Sequence, residues 1–407
     1  MKEEASLKRA LSLSVLVLYG LGTTVGAGIY ALLGKIVGRA GMYAPLSFLL
    51  ASFLAAFTAL SFAELSSRHP KSAGEAVYVL KGFRIAFLSQ AVGLAVVLAG
   101  TVSAAAILNG AVGYVQSFVA VPGPGLIVFL VFCIAAIAAW GIRESVGIAA
   151  LFTLIEIGGL LIVIWAGREG FLDLPQRWPE IMPPFEWVGW SGILTGAFLA
   201  FYAFLGFEDI VNVAEEVKGP SITLPRAIIL TLAITTLLYV LIALTAVLNL
   251  APSQLAESGA PLSLLYQQVT GGSPALIGLI SIFAILNGAL IQMVMASRIL
   301  YGMGKQGLLP KVLAHIHPLT RTPLWATAAV AGLLLVMALG FDMVSLADAT
   351  SAITLSVFTL VNLSLIMIKR RDPRPVEARI FPMWVPVIGF SFSLAFLAQE
   401  IATRFLA

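Results

Sequence analysis

The sequence predicts an all-α polytopic membrane protein with about eleven transmembrane helices. Of its 407 residues, 60% are hydrophobic and only 11% are charged, whereas a soluble globular protein is nearer 25% charged. The apolar residues are also grouped into windows of roughly 20, the length that an α-helix needs to cross a hydrocarbon core of about 30 Å. The single cysteine, Cys133, excludes an internal disulfide and a cysteine metal cluster.

The helix count comes from eleven apolar segments, separated by links that carry turn residues or charges. The predicted segments are residues 11–34, 43–66, 84–115, 124–141, 147–167, 190–214, 226–250, 273–302, 323–340, 345–368 and 381–403. Because the count is odd, the two termini are expected on opposite faces of the membrane. The charged start, MKEEASLKR, and the lack of a small-residue cleavage site after it indicate that there is no cleavable signal.

Lysine and arginine predict the orientation of these segments. With the N-terminus inside, 19 of the 24 Lys and Arg residues fall on the cytoplasmic side. By the positive-inside rule, the N-terminus is therefore expected to be cytoplasmic and the C-terminus outside, and the cytoplasmic (plasma) membrane is the expected location. The net charge of +4 is explained as a topology signal, and it implies no nucleic-acid partner.

The first and sixth segments carry residues that weaken a helix at its middle. The first contains "LGTTVGAGIY" (residues 21–30), and the sixth contains "YAFLGFED" (residues 202–209). Gly26 and Gly206 lie five segments apart, so a second set of five segments would run inverted relative to the first. Interruptions at corresponding positions in two halves are typical of an inverted-repeat transporter with a site at mid-depth.

An interrupted helix exposes backbone groups that a membrane tolerates only where they line a cavity or meet a ligand. The N-terminal end of a half-helix favours an anion and the C-terminal end a cation, so a zwitterion satisfies both. The alternative is plain close packing, because Gly22 and Gly26 have the small-xxx-small spacing of packed transmembrane helices.

Several stretches together carry a family resemblance that covers nearly the whole chain. Residues 22–30, with Gly26-Ala27-Gly28-Ile29 at their centre, resemble the first-span motif of the amino acid–polyamine–organocation superfamily. "FYAFLGFEDIVNVAEEVKGP" (residues 201–220) resembles its sixth-span signature. Residues 62–79 are similar to the end of its second span, and residues 297–303 with 307–310 to the end of its eighth. The chain departs in length, since many members have twelve spans.

This resemblance implies a single transmembrane domain with the five-plus-five inverted repeat of the leucine transporter (LeuT-like fold), and it implies alternating access. Repeat one would cover about residues 11–167 and repeat two about residues 190–368, with helices one and six broken at mid-membrane. One extra C-terminal helix would follow at about residues 381–403.

The resemblance also implies a substrate site at the two breaks. The set comprises the amides of Gly26, Ala27 and Gly28 for the α-carboxylate, the carbonyls of Thr24, Tyr202 and Leu205 for the α-ammonium, and Ile29, Phe204, Gly206 and Glu208 around them. Tyr202 and Phe204 would close the side-chain pocket, or they are ordinary core or lipid packing.

Glu156 is the candidate for energy coupling, because it lies near the middle of the fifth segment. An ionised acid there costs about 2.5–3.5 kcal/mol on insertion scales, and protonation removes that charge. The resemblance implies that proton-coupled relatives have a lysine at this place. Protonation charges a lysine but neutralises an acid, so the mechanism of those relatives cannot be copied to Glu156. Gly22 and Asn287 are the expected facing positions. A sodium role and a permanently neutral hydrogen-bonding strut are the alternatives.

Other polar residues are ranked below Glu156. Glu208 is the second coupling candidate, with capping of free amides as its alternative role, and Asp209 is expected to cap or to face water. Glu64 and Glu75 are expected to be inner-gate residues or solvated partners of nearby bases. Four further residues are expected to contact ligand or to hydrogen-bond across helices: Asn109, Gln292, Thr354 and Asn362.

The sequence lacks the residues that an intramembrane enzyme would need, such as a buried histidine, HExxH or a phosphate-binding loop. We therefore expect a transporter of an amino acid without a cofactor, driven by a proton gradient or by sodium, or acting as an exchanger of amino acids or polyamines. The lipid bilayer is the expected environment, and an accessory subunit is not required. A channel is disfavoured because no filter-like ring is present.

Overall fold

The computed structural model describes residues 11–405, apart from residues 72–73, 117, 141–144, 184–186, 306, 308, 318–319, 321, 374 and 376–377. Within this part of the chain the secondary structure is helical, and the β-type pairing is limited to one isolated bridge between Leu11 and Val217. The prediction of an all-α protein is confirmed.

The described residues form fifteen α-helices. They are α1 (Leu13–Ala40), α2 (Ala44–Arg68), α3 (Gly74–Phe83), α4 (Ala86–Gln116), α5 (Gly123–Trp140), α6 (Ser145–Ala166), α7 (Leu174–Ile181), α8 (Trp187–Phe204), α9 (Pro220–Asn249), α10 (Pro252–Glu257), α11 (Pro261–Thr270), α12 (Ala275–Lys305), α13 (Leu324–Gly340), α14 (Met343–Arg371) and α15 (Trp384–Phe405). Four of these, α3, α7, α10 and α11, are short connecting helices. The other eleven correspond one to one with the predicted apolar segments.

The long helices have the length and composition of membrane spans. Seven apolar stretches in the described part of the chain are long enough to cross a membrane, and one of them contains both α1 and α2. Three shorter apolar helices, α5, α13 and α15, complete the set. The chain is therefore a polytopic membrane protein, as predicted. The inverted repeat and its boundaries stay predictions.

Helix α1 lies at the centre of the bundle, where it packs against α6, α8, α9 and α12. Because lipid tails are as apolar as leucine, helices associate in a membrane through close packing of small residues. Gly28 of α1 shows this directly, since a Cβ atom there would collide with the backbone of Ala203 in α8. This close approach brings the two interrupted spans side by side.

Candidate functional site

The backbone of α1 is interrupted about halfway along its length. Gly26 has φ −39° and ψ −109°, outside the helical range, so two helical halves meet at this residue. A Cβ atom on Gly26 would lie 3.2 Å from the carbonyl oxygen of Ala284 in α12. The interrupted part of α1 therefore lies in close contact with α12. Gly26 fits both roles considered from the sequence, close packing of helices and binding of a substrate.

The second interruption follows α8, which ends at Phe204. Leu205 and Gly206 form a turn, and a 3₁₀ helix, Phe207–Glu216, continues the chain. Gly206 has φ +121°, a conformation that glycine adopts at little cost. A Cβ atom there would also lie 2.7 Å from the carbonyl carbon and oxygen of Thr23. Both conditions require glycine at this position.

Direct hydrogen bonds join the two breaks. The Thr23 hydroxyl donates to the carbonyl of Gly206 at 2.9 Å. Tyr239 of α9 donates to the carbonyl of Thr24 at 2.6 Å and lies 2.9 Å from that of Ala203. One phenol thus bridges carbonyls that belong to the two interrupted spans. Tyr239 could not be picked out from the sequence, because it is one aromatic residue within a long apolar segment.

The aromatic residues near the second break lie in the protein interior. The Tyr202 hydroxyl is within 3.0 Å of Ser103 Oγ and 3.1 Å of its carbonyl oxygen, which ties α8 to α4. Phe204 is fully buried and packs edge-on against Phe48 and at a tilt against Tyr239. Ile29 is also fully buried. In this arrangement Tyr202 and Phe204 pack in the core, which is one of the two roles considered from the sequence. Ala27 lies in α1 directly after the break.

A cavity lies beside the second break, between α3, α4, α12, α14 and the 3₁₀ helix. The polar side chains that line it are Glu75, Ser103, Glu208, Asp209, Gln292, Thr350 and Thr354, and Leu205 contributes to its wall. Two residues that the sequence left ambiguous, Gln292 and Thr354, therefore face this cavity. Asn109 and Asn362 instead form hydrogen bonds between helices, to the carbonyl of Ala338 in α13 and to Thr58 in α2 respectively.

Three carboxylic acids line this cavity. Glu208 Oε2 accepts a hydrogen bond from the backbone amide of Gly206 at 2.8 Å, which is the capping role considered from the sequence. Asp209 is buried and accepts from the side-chain amide of Gln292 at 3.2 Å, so the expectation that Asp209 faces water is wrong. We refer to Glu75, Glu208 and Asp209 as the acidic cavity cluster.

Glu75 comes from α3, which connects α2 and α4 outside the long spans. The expectation that Glu75 is a solvated partner of nearby bases is wrong, because its exposed fraction is 3%. Burial raises the pKa of Glu75 to about 8, and the negative charge of Glu208 adds to this shift. Glu75 therefore keeps its proton at neutral pH when no cation is near.

Glu156 lies on α6 against α1 and α12. It is 1% exposed, and its Oε1 accepts a hydrogen bond from Asn287 Nδ2 at 3.1 Å. Its Oε2 is buried and has no hydrogen-bond partner within the described part of the chain. Gly22 faces Thr153, one turn before Glu156, so closely that a Cβ atom would collide with the threonine hydroxyl. The three positions grouped from the sequence thus lie together.

Ion pairs mark the two ends of the bundle. At the end formed by the last turns of α2 and α14, called the basic end, Glu64 is bonded to Arg68 at 2.7 Å and to Lys369 at 2.7 Å. At the other end, called the far end, Arg39 of α1 pairs with Asp348 of α14 at 3.2 Å and also reaches the carbonyl of Thr195 in α8. The sequence did not single out Asp348 or Lys369.

Comparison with known proteins identifies the family. The amino acid permease family matches residues 9–405. The branched-chain amino acid permease BcaP of Bacillus subtilis is 30% identical, over 95% of this chain and 86% of its own length. The methylthioribose transporter of the same organism is 31% identical, over 94% of this chain and 86% of its own length. A vacuolar cationic amino acid transporter 4 of Arabidopsis thaliana is 31% identical, over 90% of this chain and 64% of its own length.

The matched region includes both interrupted spans and every long helix, and the relatives are membrane transporters by name. The chain is therefore a transporter and not an enzyme, and it belongs to the amino acid permease family of the amino acid–polyamine–organocation superfamily.

Proposed function

We propose that this protein is a secondary active transporter that imports an amino acid across the cytoplasmic membrane by alternating access, driven by protons through Glu156. The observation that carries the proposal is the contact between two helices interrupted near their middles, Gly26 in one and Gly206 following the other. Unwound backbone inside a membrane protein is tolerated where it is buried or lines a cavity, and paired interruptions mark substrate sites in inverted-repeat transporters.

The free backbone groups at the breaks fit the two charges of an amino acid. The amides of Gly26, Ala27 and Gly28 begin the second half of α1 and favour the α-carboxylate. The carbonyls of Thr24, Tyr202 and Leu205 favour the α-ammonium. The Thr24 carbonyl accepts a hydrogen bond from Tyr239 and the Tyr202 carbonyl accepts one from the Leu205 amide, and a carbonyl oxygen has two lone pairs.

Alternating access requires that the two ends of the bundle open in turn. The Arg39–Asp348 ion pair links α1, α14 and, through Thr195, α8 at the far end. The acidic cavity lies on the other side of the second break, toward α3 and the basic end. With the N-terminus inside, the basic end is cytoplasmic, and rupture of the Arg39–Asp348 pair is part of outward opening.

Glu156 is suited to proton coupling because it lies between the three helices that meet at the first break. A buried carboxylate with one neutral donor and one unpartnered oxygen is an expensive charge. Taking up a proton removes that cost. Any movement of α1 away from α6 and α12 changes the water access of Glu156, which links proton release to the conformational cycle.

Sodium coupling is the second candidate, and one observation favours it. The unpartnered Glu156 Oε2 is a hard oxygen ligand of the kind that alkali cations prefer, next to the backbone carbonyls of an interrupted helix. Exchange without net coupling is a third outcome, in which Glu156 serves only as the strut to Asn287.

Transport by the purified full-length chain in proteoliposomes tests these alternatives. We expect uptake of a labelled amino acid to be driven by an imposed pH gradient, acid outside, and not by an imposed sodium gradient. The Glu156→Gln variant should lose gradient-driven accumulation at least tenfold and keep part of its counterflow exchange, because the amide preserves the bond to Asn287 but not the titration.

The matched control is Glu169→Gln, since Glu169 is an exposed acid in the 3₁₀ turn after the same helix, α6. It should transport like the unchanged protein. Normal accumulation by Glu156→Gln would overturn the coupling role, and accumulation that follows sodium alone would replace the proton by sodium.

A further inference from the structure

The corner where α3 leads into α4 carries exposed bases and exposed apolar side chains next to each other. Lys81 lies in the last turn of α3 and Arg84 directly after it, and both are exposed. Ile85 follows Arg84 and is exposed, and Phe87 in the first turn of α4 is 77% exposed. Because α4 is a membrane span, this corner lies at the level where lipid headgroups and acyl chains meet.

The last turn of α14 brings two more bases to this corner. Arg371 Nη1 donates to the carbonyl oxygen of Lys81 at 3.3 Å, and the neighbouring Arg370 is exposed. The two helices are in close contact here, because a Cβ atom on Gly82 would collide with Ser364 of α14. We refer to four residues as the basic corner: Lys81, Arg84, Arg370 and Arg371.

The basic corner differs from the bases beside it, whose charges are neutralised within the protein. Arg68 and Lys369 pair with Glu64. The exposed acid that follows Arg371, Asp372, pairs with Arg68 at 3.7 Å. In the part of the chain that the structure describes, the four bases of the corner form no ion pair. They therefore present positive charge to the outside of the bundle.

The pKa of a neighbouring histidine reflects this charge. His69 follows α2 and lies outside the long spans. Burial of the ring lowers the pKa of His69, and the charges of Lys81 and Arg68 lower it further, while Asp372 opposes the shift. A nearby positive charge disfavours the protonated ring, so the bases outweigh the acid at this surface.

Arg84 occupies a position where a helix end commonly has glycine. Its φ is +61°, and its amide donates to the carbonyl of Leu80, as in the left-handed caps that end many helices. A side chain disfavours this conformation, whereas glycine adopts it freely. The backbone therefore favours glycine here, and the arginine supplies a guanidinium at a conformational cost.

We infer that the basic corner binds the headgroup of an anionic phospholipid in the leaflet at the basic end, with the acyl chains beside Ile85 and Phe87. Guanidinium and ammonium groups donate to phosphate oxygens, and clusters of bases next to a membrane span attract anionic lipids. A zwitterionic lipid carries its own cation and would leave the charge of the corner uncompensated. The inference does not rest on the proposed function, since the lipid would contact neither Glu156 nor the two breaks.

The test measures lipid binding by the detergent-purified full-length protein. Dioleoyl phosphatidylglycerol should raise the thermal unfolding midpoint, and dioleoyl phosphatidylcholine should not. The double variant Lys81→Gln, Arg84→Gly should raise the half-saturating phosphatidylglycerol concentration roughly fivefold or more, since each base near an anionic surface contributes a factor of about five.

The matched control is the double variant Lys305→Gln, Lys311→Gln. It removes two exposed bases at the end of α12, which lies on the same side of the membrane because the spans alternate in direction. Its half-saturating phosphatidylglycerol concentration should stay close to that of the unchanged protein. An equal loss of binding in the control would mean that any base at this end serves, and would overturn the inference.

Arg84→Gly alone separates lipid binding from folding. Glycine adopts the observed φ without strain, so the lipid-free variant should unfold at a midpoint no lower than that of the unchanged protein. It should nevertheless need more phosphatidylglycerol for half-saturation, by a factor of roughly five. An unchanged lipid response in this variant would contradict the proposed site.

Other occupants of the basic corner would give different results, each of which overturns the inference. Equal stabilisation by the two lipids would show that the headgroup charge is not recognised. Equal stabilisation by water-soluble glycerol 3-phosphate would assign the corner to a free phosphate ester. A dimer that forms without phosphatidylglycerol and is lost in Lys81→Gln, Arg84→Gly, as measured by light scattering, would assign it to a second copy of the chain.

Discussion

Glu64 at the basic end and the three acids of the acidic cavity cluster all lie inside the bundle, and they differ in which groups donate hydrogen bonds to them. At the basic end, Glu64 accepts hydrogen bonds from Arg68, Lys369 and the backbone amide of Phe381. In the cavity, Glu75, Glu208 and Asp209 have only neutral donors in the described chain. Glu64 ties α2 to α14 and to the segment before α15, while the acidic cavity cluster lines a cavity.

We expect this difference to separate acids that stabilise the fold from acids that can bind a proton or a ligand. A buried acid with two basic partners holds helices together as an ion pair, and removing either sign leaves an unpaired buried charge. Buried acids without basic partners can gain a proton or a ligand cation, and perturbed groups in a cavity are candidates for function. Each of the following changes tests this distinction, from the largest expected effect to the smallest.

Replacement of Glu64 should have the largest effect on stability. Glu64→Gln leaves Lys369 as a buried cation without a carboxylate and Arg68 with only its 3.7 Å pair to Asp372, and breaking a buried pair in this way costs about 3–5 kcal/mol. We expect a clear fall in the thermal unfolding midpoint of the purified protein. Glu180→Gln removes the exposed pair with Arg177, in which Glu180 is 52% exposed, and should cost less than about 1 kcal/mol. Equal shifts for the two variants would contradict the comparison.

Replacement of Glu75 should have the opposite sign and depend on pH. The pKa of Glu75 is raised from 4.5 to about 8 by burial, so the folded protein holds this proton where the unfolded chain has lost it. The resulting destabilisation is absent below about pH 4.5, grows as the pH rises and levels off above about 8. It reaches a few kcal/mol, since one pKa unit corresponds to about 1.4 kcal/mol.

Glu75→Gln should therefore match the unchanged protein near pH 5 and be the more stable of the two at pH 9. Unfolding midpoints of both proteins across pH 5–9, measured without lysine or arginine, check this. A variant that is less stable at every pH would place Glu75 with Glu64 among the structural acids.

Two replacements of Glu208 should separate its capping of the Gly206 amide from the effect of its negative charge. Glu208→Gln keeps an oxygen that accepts from the Gly206 amide, whereas Glu208→Ala leaves this buried amide without a partner. We expect Glu208→Ala to lose about 1 kcal/mol of stability and Glu208→Gln to lose little. Unfolding midpoints of the two variants give the stability difference, and substrate KM gives the effect of the charge. Identical stability of the two variants would argue against the cap.

The sequence predicted the features that depend on composition and local spacing. The number of long helices followed from the apolar windows. Both interruptions followed from glycines: Gly26 has non-helical backbone angles, Gly206 has a positive φ, and a Cβ atom at either position would lie close to a neighbouring backbone. The grouping of Glu156 with Asn287 rests instead on the family resemblance, which implies the facing helices.

Contacts between distant segments could not be read in this way. Glu64 and Lys369 lie 305 positions apart. The sequence suggests an inner-gate residue or a solvated partner of nearby bases at Glu64, whereas Glu64 is fully buried, and it offers no sign that Lys369 is its partner. Glu75 looked exposed because the adjoining loop is basic, yet tertiary packing buries α3 on one face. Tyr239 resembled any aromatic residue of an apolar span until its hydroxyl was found between two broken helices.

Removal of the Arg39–Asp348 ion pair at the far end should change stability the least of these replacements, and its main effect should be on conformation. Arg39 is 31% exposed and Asp348 11%, so water screens the attraction and Arg39→Gln should cost less than about 1 kcal/mol. The pair nevertheless joins α1 to α14, and its loss should favour the outward-open state. Spin labels at the far ends of α1 and α14 should show a longer distance in Arg39→Gln than in the Lys35→Gln control. Lys35 donates to the carbonyl of Ala256 in α10 and has no ion pair within the described part of the chain. An unchanged distance would mean that the helix packing, and not the ion pair, keeps this end closed.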